Sequence, residues 1–174
     1  MEEEALNFAK QAHKDQQRKY NKEPYIEHPK RVAEIVRTVP HTQEMICAAY
    51  LHDVVEDTWV TIKEIDKRFG KKVAQLVNEL TDEYIKANYK QMNRRRRKEK
   101  EVERQAKMSA EAKTVKLADV IDNTRDIVKN DPGFAKKYVR EMEALTNALQ
   151  GGDNILYEQA HKEIQLGKEI LNIS

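Results

Sequence analysis

The sequence predicts an all-α fold, a helical bundle of about eight to ten helices. Only five glycines and four prolines interrupt the 174 residues, so the turn residues that separate short strands are scarce. Apolar residues instead recur at the three- and four-residue spacing of amphipathic helices. The composition, 39% hydrophobic and 36% charged, also suits helices with one buried face and one solvated face.

Three helices are predicted in the first third of the chain. The first runs from Glu3 to about Gln16, with acidic residues in the first turn, where they oppose the helix dipole. Pro29 is predicted to open the second helix, because its missing N–H would be unpaired there anyway. The third is predicted to start near Thr42 and to run on through the segment LHDVVEDT.

Five further helices are predicted from capping residues and apolar stripes. TIKE at 61–64 has the spacing of a capping box and precedes Gly70, a stop signal. Apolar residues over 73–80 mark the next helix. A long helix is predicted from about Ser109 to Val128, another opens at Pro132, and the last follows GGDN.

The net charge of +2 hides a basic segment at residues 86–107, which holds ten lysines and arginines against three glutamates. Glutamates at helical spacing in NRRRRKEKEVER indicate a solvated helix with internal salt bridges. The other interpretation is that the lysines and arginines of this segment contact a phosphate-bearing ligand. A loop that becomes ordered on binding fits the segment equally well. A nucleic-acid interface ranks last, because only Tyr84 and Tyr89 lie nearby and no stacking platform is visible.

The sequence predicts a cytoplasmic protein of one domain over residues 1–174. No apolar run approaches the roughly 20 residues of a membrane span, and MEEEALNF lacks the basic and apolar parts of a signal peptide. The single cysteine, Cys47, is expected to be a small buried hydrophobe rather than a nucleophile.

Four ionisable residues follow an apolar run in LHDVVEDT. His52 and Asp53 come at the buried end of the predicted third helix, where an unpaired imidazole or carboxylate would be costly. Glu56 and Asp57 lie one turn further on, at the distance where a general acid or base works. A His-Asp pair alone often arises by chance, so the prediction needs further ligands from elsewhere in the chain.

Two other segments supply such ligands. His28 ends the motif PYIEH, and Asp119 comes from the apolar face of the helix that carries VKLAD, where unpaired burial would be strongly destabilising. Two imidazoles and two carboxylates without a thiolate form a shell that favours manganese, iron, magnesium or zinc over copper(I). Open coordination positions would leave room for water and substrate, so the set predicts a catalytic metal site.

Four segments, in this order and at these spacings, resemble the hydrolase domain of the RelA/SpoT family in its small stand-alone form, the metazoan SpoT homologue type. They are RKYNKEPYIEHP, LHDVVEDT, VKLADVIDN and FAKKYVREM. The match runs from about Ala5 to Leu145 and implies an all-helical HD-type domain. It also implies hydrolysis of the 3′-pyrophosphate of ppGpp or pppGpp, giving GDP or GTP and pyrophosphate, in a stringent-type starvation response.

The resemblance implies a role for each matching position. One manganese ion would be held by His28, His52, Asp53 and Asp119. Glu56 and Asp57 match the pair that supplies the catalytic acid/base and positions the attacking water. The nucleotide contacts match Arg18, Lys19, Asn123 and Tyr138, with the arginine packed on the guanine ring.

Two departures from the family pattern leave the nucleotide preference open. The loop between Lys19 and Pro24 lacks the glycine common there, and Asp126 stands where many bacterial relatives carry a small hydroxyl residue. One alternative is therefore an HD-domain phosphohydrolase that acts on ppApp, NADPH or a deoxynucleotide. The other is a non-catalytic nucleotide-sensing module. The sequence does not predict an oligomeric state.

Overall fold

The computed structural model describes residues 1–173 and confirms the all-α fold, with ten helices in that range. Gln17 and Pro24 form an isolated antiparallel bridge, and no β-strand is present among the described residues. The helices are α1 (Glu2–Ala12), α2 (Glu27–Arg37), α3 (Gln43–Leu51), α4 (Val54–Asp57), α5 (Ile62–Phe69), α6 (Lys71–Leu80), α7 (Arg94–Gln105), α8 (Ala110–Asn130), α9 (Pro132–Ala148) and α10 (Asn154–Ile170). The assignment of residues 1–174 to one domain stays a prediction.

The helix boundaries follow the capping residues. Thr61 accepts a hydrogen bond from the Glu64 N–H, and the Glu64 carboxylate accepts one from the Thr61 N–H, so the predicted capping box is confirmed. Gly70 separates α5 from α6 with φ of 86°, a left-handed value that favours glycine. Pro132 lies in the first turn of α9, as its position in the sequence predicts.

Three boundaries differ from the sequence-based prediction. Helix α1 ends at Ala12 rather than near Gln16: residues 13–15 form a turn, and the Gln16 side chain donates to the Asp57 carbonyl. Helix α2 begins at Glu27, two residues before Pro29. The predicted third helix is broken: α3 ends at Leu51, and α4 is a separate short helix.

Helix α8 is the central element and packs against α2, α3, α6, α9 and α10. Its fully buried residues include Leu117 and Ile121, which belong to one contiguous apolar core. Because α2 and α3 pair with each other and both contact α8, polar side chains at their buried ends can meet within that core. Among the described residues, no helix has the length and apolar character needed to cross a membrane.

Cys47 lies in the core on α3 and is fully buried, as predicted. Burial raises the pKa of its thiol to about 11. The thiol is therefore protonated at neutral pH and is a poor nucleophile.

Candidate metal centre and its cleft

Four ionisable side chains meet in the core where α2, α3 and α8 converge. Ligand atoms of His28, His52 and Asp119 lie within 4.8 Å of one another, and all three residues are buried. Asp119 Oδ1 is 3.1 Å from His28 Nε2 and 3.6 Å from His52 Nε2. Asp53 joins them, with Oδ2 at 3.0 Å from His52 Nε2 and 3.7 Å from His28 Nε2. The structure thus brings together all four residues in which the sequence predicts metal ligands.

The break between α3 and α4 allows two adjacent residues to face the same point. His52 caps the carboxyl end of α3, and Asp53 has φ of −96° and ψ of −7°, between the helical and extended regions. On a continuous helix, neighbouring side chains diverge by about 100° around the axis. Tyr25 fixes the Asp53 carboxylate in this position, since its hydroxyl donates to Oδ2 at 2.6 Å.

Hydrogen bonds orient both imidazoles with Nε2 toward the shared point. Nδ1 of His52 donates to the Ala49 carbonyl at 2.8 Å. Nε2 of His52 is buried and lies 3.0 Å from Asp53 Oδ2 and 3.6 Å from Asp119 Oδ1. A buried imidazole nitrogen that faces two carboxylates holds either a proton or a metal ion, so this arrangement also suits a cation ligand.

The electrostatics of the cluster favour a bound cation. Burial opposes charge on Asp119, but Lys116 and the two imidazoles hold the pKa of its carboxyl well below the ordinary value. Burial likewise opposes charge on His52, but Asp53 and Asp119 raise the pKa of its imidazole well above the ordinary value. The carboxylates are therefore ionised at neutral pH, and they attract positive charge to the cluster.

Asp122 supports the cluster from behind and is missing from the sequence-based prediction. Its Oδ2 lies 2.7 Å from His28 Nδ1, and its Oδ1 accepts from Arg31 Nε at 2.7 Å. Arg31 also pairs with Glu23 at 2.7 Å. Because an ionised carboxylate can only accept, Nδ1 of His28 carries the proton, and Nε2 is left free for a cation. The signal in the sequence is the three-residue spacing of Asp119 and Asp122 on one helix face.

Replacing Asp122 by alanine is expected to weaken divalent-metal affinity by about 10- to 100-fold, because His28 would lose the partner that fixes its orientation. Titration of the purified variant with Mn²⁺ against a fluorescent chelator measures the change. Asp66→Ala, at an exposed position of α5, is the matched control and should bind as the unmodified chain does. Equal affinities for the Asp122 and Asp66 variants would contradict an orienting role.

Glu56 and Asp57 stand on α4 one turn past Asp53. Both residues are exposed, and the Glu56 carboxylate accepts a hydrogen bond from the Asp82 N–H at 3.2 Å. Burial of the carboxyl group, with the charges of Asp82 and Asp53, raises the pKa of Glu56 to about 7. Burial and Asp53 also raise the pKa of Asp57 above its ordinary value. Glu56 can therefore exchange a proton near neutral pH, as a general acid or base must.

A cleft leads from the cluster to the surface in two connected parts. The inner cavity, of about 140 Å³, is lined by Lys116 and Asp119, and the outer one, of about 370 Å³, by Arg18 and Lys19. Asn123 and Tyr138 line both. The four predicted nucleotide contacts thus lie along one path that ends at the cluster. A larger cavity of about 730 Å³ lies against α1 and contains none of the predicted site residues.

The two parts of the cleft are joined by a chain of hydrogen bonds. Asp126 Oδ2 accepts from Arg18 Nε at 3.1 Å and from Nη2 at 2.6 Å. Arg18 Nη2 also donates to Asn123 Oδ1 at 2.8 Å, and Asn123 Nδ2 donates to Asp119 Oδ1 at 2.6 Å. The guanidinium of Arg18 is therefore held at its edge, and its plane is fixed relative to the cluster.

The basic segment forms helix α7, and most of its charges are paired within the fold. The ion pairs are Arg94 with Glu141, Arg95 with Glu99, Lys98 with Asp82, Lys100 with Glu103 and Arg104 with Glu101. This agrees with the salt-bridged helix. Two of its cations, Arg94 and Lys98, nevertheless line the outer cavity, so the helix also brings positive charge to the cleft.

An all-helical core in which a His-Asp pair is completed by a histidine and an aspartate from two other helices defines a class of protein, the HD domain. The sequence model of the HD domain family matches residues 5–149, and the chain belongs to this family. Guanosine-3′,5′-bis(diphosphate) 3′-pyrophosphohydrolase MESH1 of Drosophila melanogaster is 36% identical over 167 residues, which cover 94% of this chain and 89% of the relative. The protein of the same name from Xenopus tropicalis is 38% identical over 161 residues, covering 88% and 87%.

A solved structure gives the same result. It is described by the words "A metazoan ortholog of SpoT hydrolyzes ppGpp and plays a role in starvation responses", and it matches this fold with a TM-score of 0.83 at 32% identity. The match covers 95% of this chain and 94% of that one. The resemblance to small stand-alone members of the RelA/SpoT family is thereby confirmed.

Proposed function

We propose that this chain is a metal-dependent hydrolase that removes the 3′-pyrophosphate of ppGpp or pppGpp, releasing GDP or GTP, and so damps a starvation response. The observation that carries the proposal is the convergence of His28, His52, Asp53 and Asp119, the last of which lines the inner cavity of a cleft. The named reaction of relatives that match most of both chains supports the choice of substrate. The cytoplasmic location stays a prediction.

The donor set fits one divalent cation, and we propose Mn²⁺. Two imidazole nitrogens and two carboxylates suit manganese, and the oriented Nε2 atoms of His28 and His52 are the strongest structural support for such an ion. When bound by these four residues, the ion would lower the pKa of a water molecule and neutralise charge on a phosphoryl group.

The proposed reaction needs a proton acceptor beside the cluster. Water attacks the phosphorus attached to the ribose 3′-oxygen, the P–O3′ bond breaks, and the 3′-oxygen leaves with the bonding electrons and takes up a proton. We assign the acceptance of the proton of water to Glu56, because its pKa lies at about 7. Asp57, with a carboxyl group beside the same cluster, orients the water.

The nucleotide is proposed to lie in the outer cavity. Arg18 presents a guanidinium of fixed plane there, which is the arrangement needed to stack on a purine ring. Lys19, Asn123 and Tyr138 line the same cavity and complete the proposed contacts.

Asp126→Ala is expected to raise KM for ppGpp about tenfold with a smaller change in kcat, because Arg18 would lose its charge-assisted hydrogen bonds and its fixed plane. Steady-state kinetics separate the two constants. Asp15→Ala, at an exposed position of the same region, serves as the control. A lower kcat at unchanged KM would place Asp126 in the chemical step instead.

Incubation of the purified protein and Mn²⁺ with ppGpp, pppGpp, ppApp, NADPH and deoxynucleotides tests the proposed function. GDP and pyrophosphate from ppGpp should dominate the products, and a chelator should stop their formation. Faster hydrolysis of ppApp, NADPH or a deoxynucleotide would favour the alternative phosphohydrolase. Nucleotide binding without product at any divalent metal would favour the sensing module.

A further inference from the structure

Lys116 places a positive charge inside the cleft. It lies on α8 one turn before Asp119 and lines the inner cavity together with Asp82 and Asp119. Its side chain is only 15% exposed, and Nζ is 2.9 Å from Asp119 Oδ2. Lysine is among the residues least often buried, since its charge is costly to desolvate. The burial of this ammonium group is therefore not explained by packing alone.

Lys116 neutralises Asp119, but that contact uses only part of its capacity to donate hydrogen bonds. Oδ1 of Asp119 already accepts from Asn123 at 2.6 Å and lies near both imidazoles. Within the described part of the chain, Asp119 is the one acidic side chain within 4.0 Å of Lys116 Nζ. An ammonium has three donor hydrogens. One can point at Asp119, which leaves donors for a ligand in the inner cavity.

One other cation, Lys98, lines the inner cavity, and it already has an acidic partner. Lys98 faces Asp82 at 3.6 Å and lies on α7, toward the outer cavity. Glu101 and Glu141 also line the inner cavity, and each is paired with an arginine of α7. Of the two lysines that line the inner cavity, Lys116 is thus the one that pairs with a residue of the cluster, Asp119. A phosphoryl group in that cavity would meet it directly.

We propose that Lys116 binds the pyrophosphoryl group of the substrate and stabilises its negative charge as the P–O3′ bond breaks. The inference rests on the proposed function, because it takes the scissile phosphorus to lie at the cluster. The contact is non-covalent: Nζ donates hydrogen bonds to the non-bridging oxygens, and the released pyrophosphate keeps that contact until it dissociates. Lys116 is in this sense a catalytic residue that touches the reacting group.

Lys116→Met is expected to lower kcat for ppGpp by about 10²- to 10³-fold, the effect of removing one preorganised donor from a developing charge. Product inhibition provides the sharper readout. The inhibition constant for pyrophosphate should rise at least about tenfold, whereas that for GDP should stay within about twofold, since GDP lacks the group that Lys116 binds. Mn²⁺ affinity should be unchanged or higher, because a positive charge beside Asp119 has been removed.

Lys129→Met, at an exposed position of the same helix, is the matched control and should retain full activity. Lys116→Gln, which keeps a polar head group, replaces Lys116→Met if circular dichroism shows that the methionine variant does not fold. Ethylammonium added to Lys116→Ala should restore part of kcat, and no such rescue is expected for a merely structural lysine.

The failure of this inference can be told apart from the failure of the proposed function. If the unmodified chain with Mn²⁺ does not release pyrophosphate from ppGpp, the proposed function fails. If the unmodified chain is active but Lys116→Met and Lys116→Gln keep the inhibition by pyrophosphate, the role of Lys116 is refuted. The role is also refuted if the constants for pyrophosphate and GDP weaken equally, or if Mn²⁺ affinity falls, since Lys116 would then only support Asp119.

Discussion

Asp119→Ala is expected to abolish Mn²⁺ binding and ppGpp hydrolysis together. Asp119 is the member of the cluster that comes from α8, and its Oδ1 lies within 3.6 Å of both imidazole Nε2 atoms. Without it, Lys116 loses the carboxylate with which it pairs, and the proposed ligand set keeps a single carboxylate, that of Asp53. Metal affinity and kcat should each fall by a factor on the order of 10³ or more.

Metal content after equilibration with Mn²⁺, measured by atomic emission on the desalted protein, checks the first half of this result. Release of pyrophosphate from ppGpp checks the second. Asp119→Asn is the isosteric companion, because it removes the charge without leaving a cavity. Retention of one metal ion per chain in both variants would mean that Asp119 is not a ligand, and the proposed reaction would lose its structural basis.

The convergence of His52, Asp53 and Asp119 could be predicted from the sequence because each is an ionisable residue set against an apolar run, and the motif PYIEHP adds His28. The roles of Asp122 and Lys116 could not be predicted, although both residues lie in the segment VKLADVIDN, three positions from Asp119. Helical periodicity assigns a residue to a face of α8 but does not give the rotation of α8 against α2. That rotation decides that Asp122 reaches His28 while Lys116 points into the cavity.

The break between α3 and α4 could not be predicted from the sequence either, because VVED has an ordinary helical pattern. Residues distant in the sequence stabilise the break: the Tyr25 hydroxyl donates to the Asp53 carboxylate, and the Gln16 side chain donates to the Asp57 carbonyl. The loop after Lys19 shows a related effect. Lys22, between Lys19 and Pro24, adopts φ of 63°, a left-handed conformation that favours glycine.

For the basic segment, the sequence does not decide between a helix and a loop, because it has almost no apolar stripe. Helix α7 packs on α9, and the Arg94 side chain forms two hydrogen bonds with Glu141, 47 positions away. The segment therefore depends on tertiary contacts for its structure, whereas α5 and α9 have their boundaries encoded locally by Thr61 and Pro132.

Glu56→Gln is expected to lower kcat by about 10²- to 10⁴-fold and to leave Mn²⁺ binding intact. The amide keeps the size of the side chain and can still accept from the Asp82 N–H, but it cannot take a proton from water. Glu34→Gln, an exposed change on α2, is the matched control. Loss of metal from Glu56→Gln to the same extent as from Asp119→Ala would contradict the division between proton transfer and metal binding.

The pH profile of kcat gives a second test of Glu56. Its pKa is raised to about 7, so below that pH the carboxyl is protonated and cannot accept a proton. kcat should therefore rise with pH through this region and level off above it. A divalent cation in the cluster lowers the pKa of a nearby carboxyl, so the midpoint should lie at or below about 7 in the Mn²⁺-loaded protein. The residual activity of Glu56→Gln should lack this limb, because the group that titrates is gone, whereas a limb that persists unchanged would assign the proton acceptor to another residue.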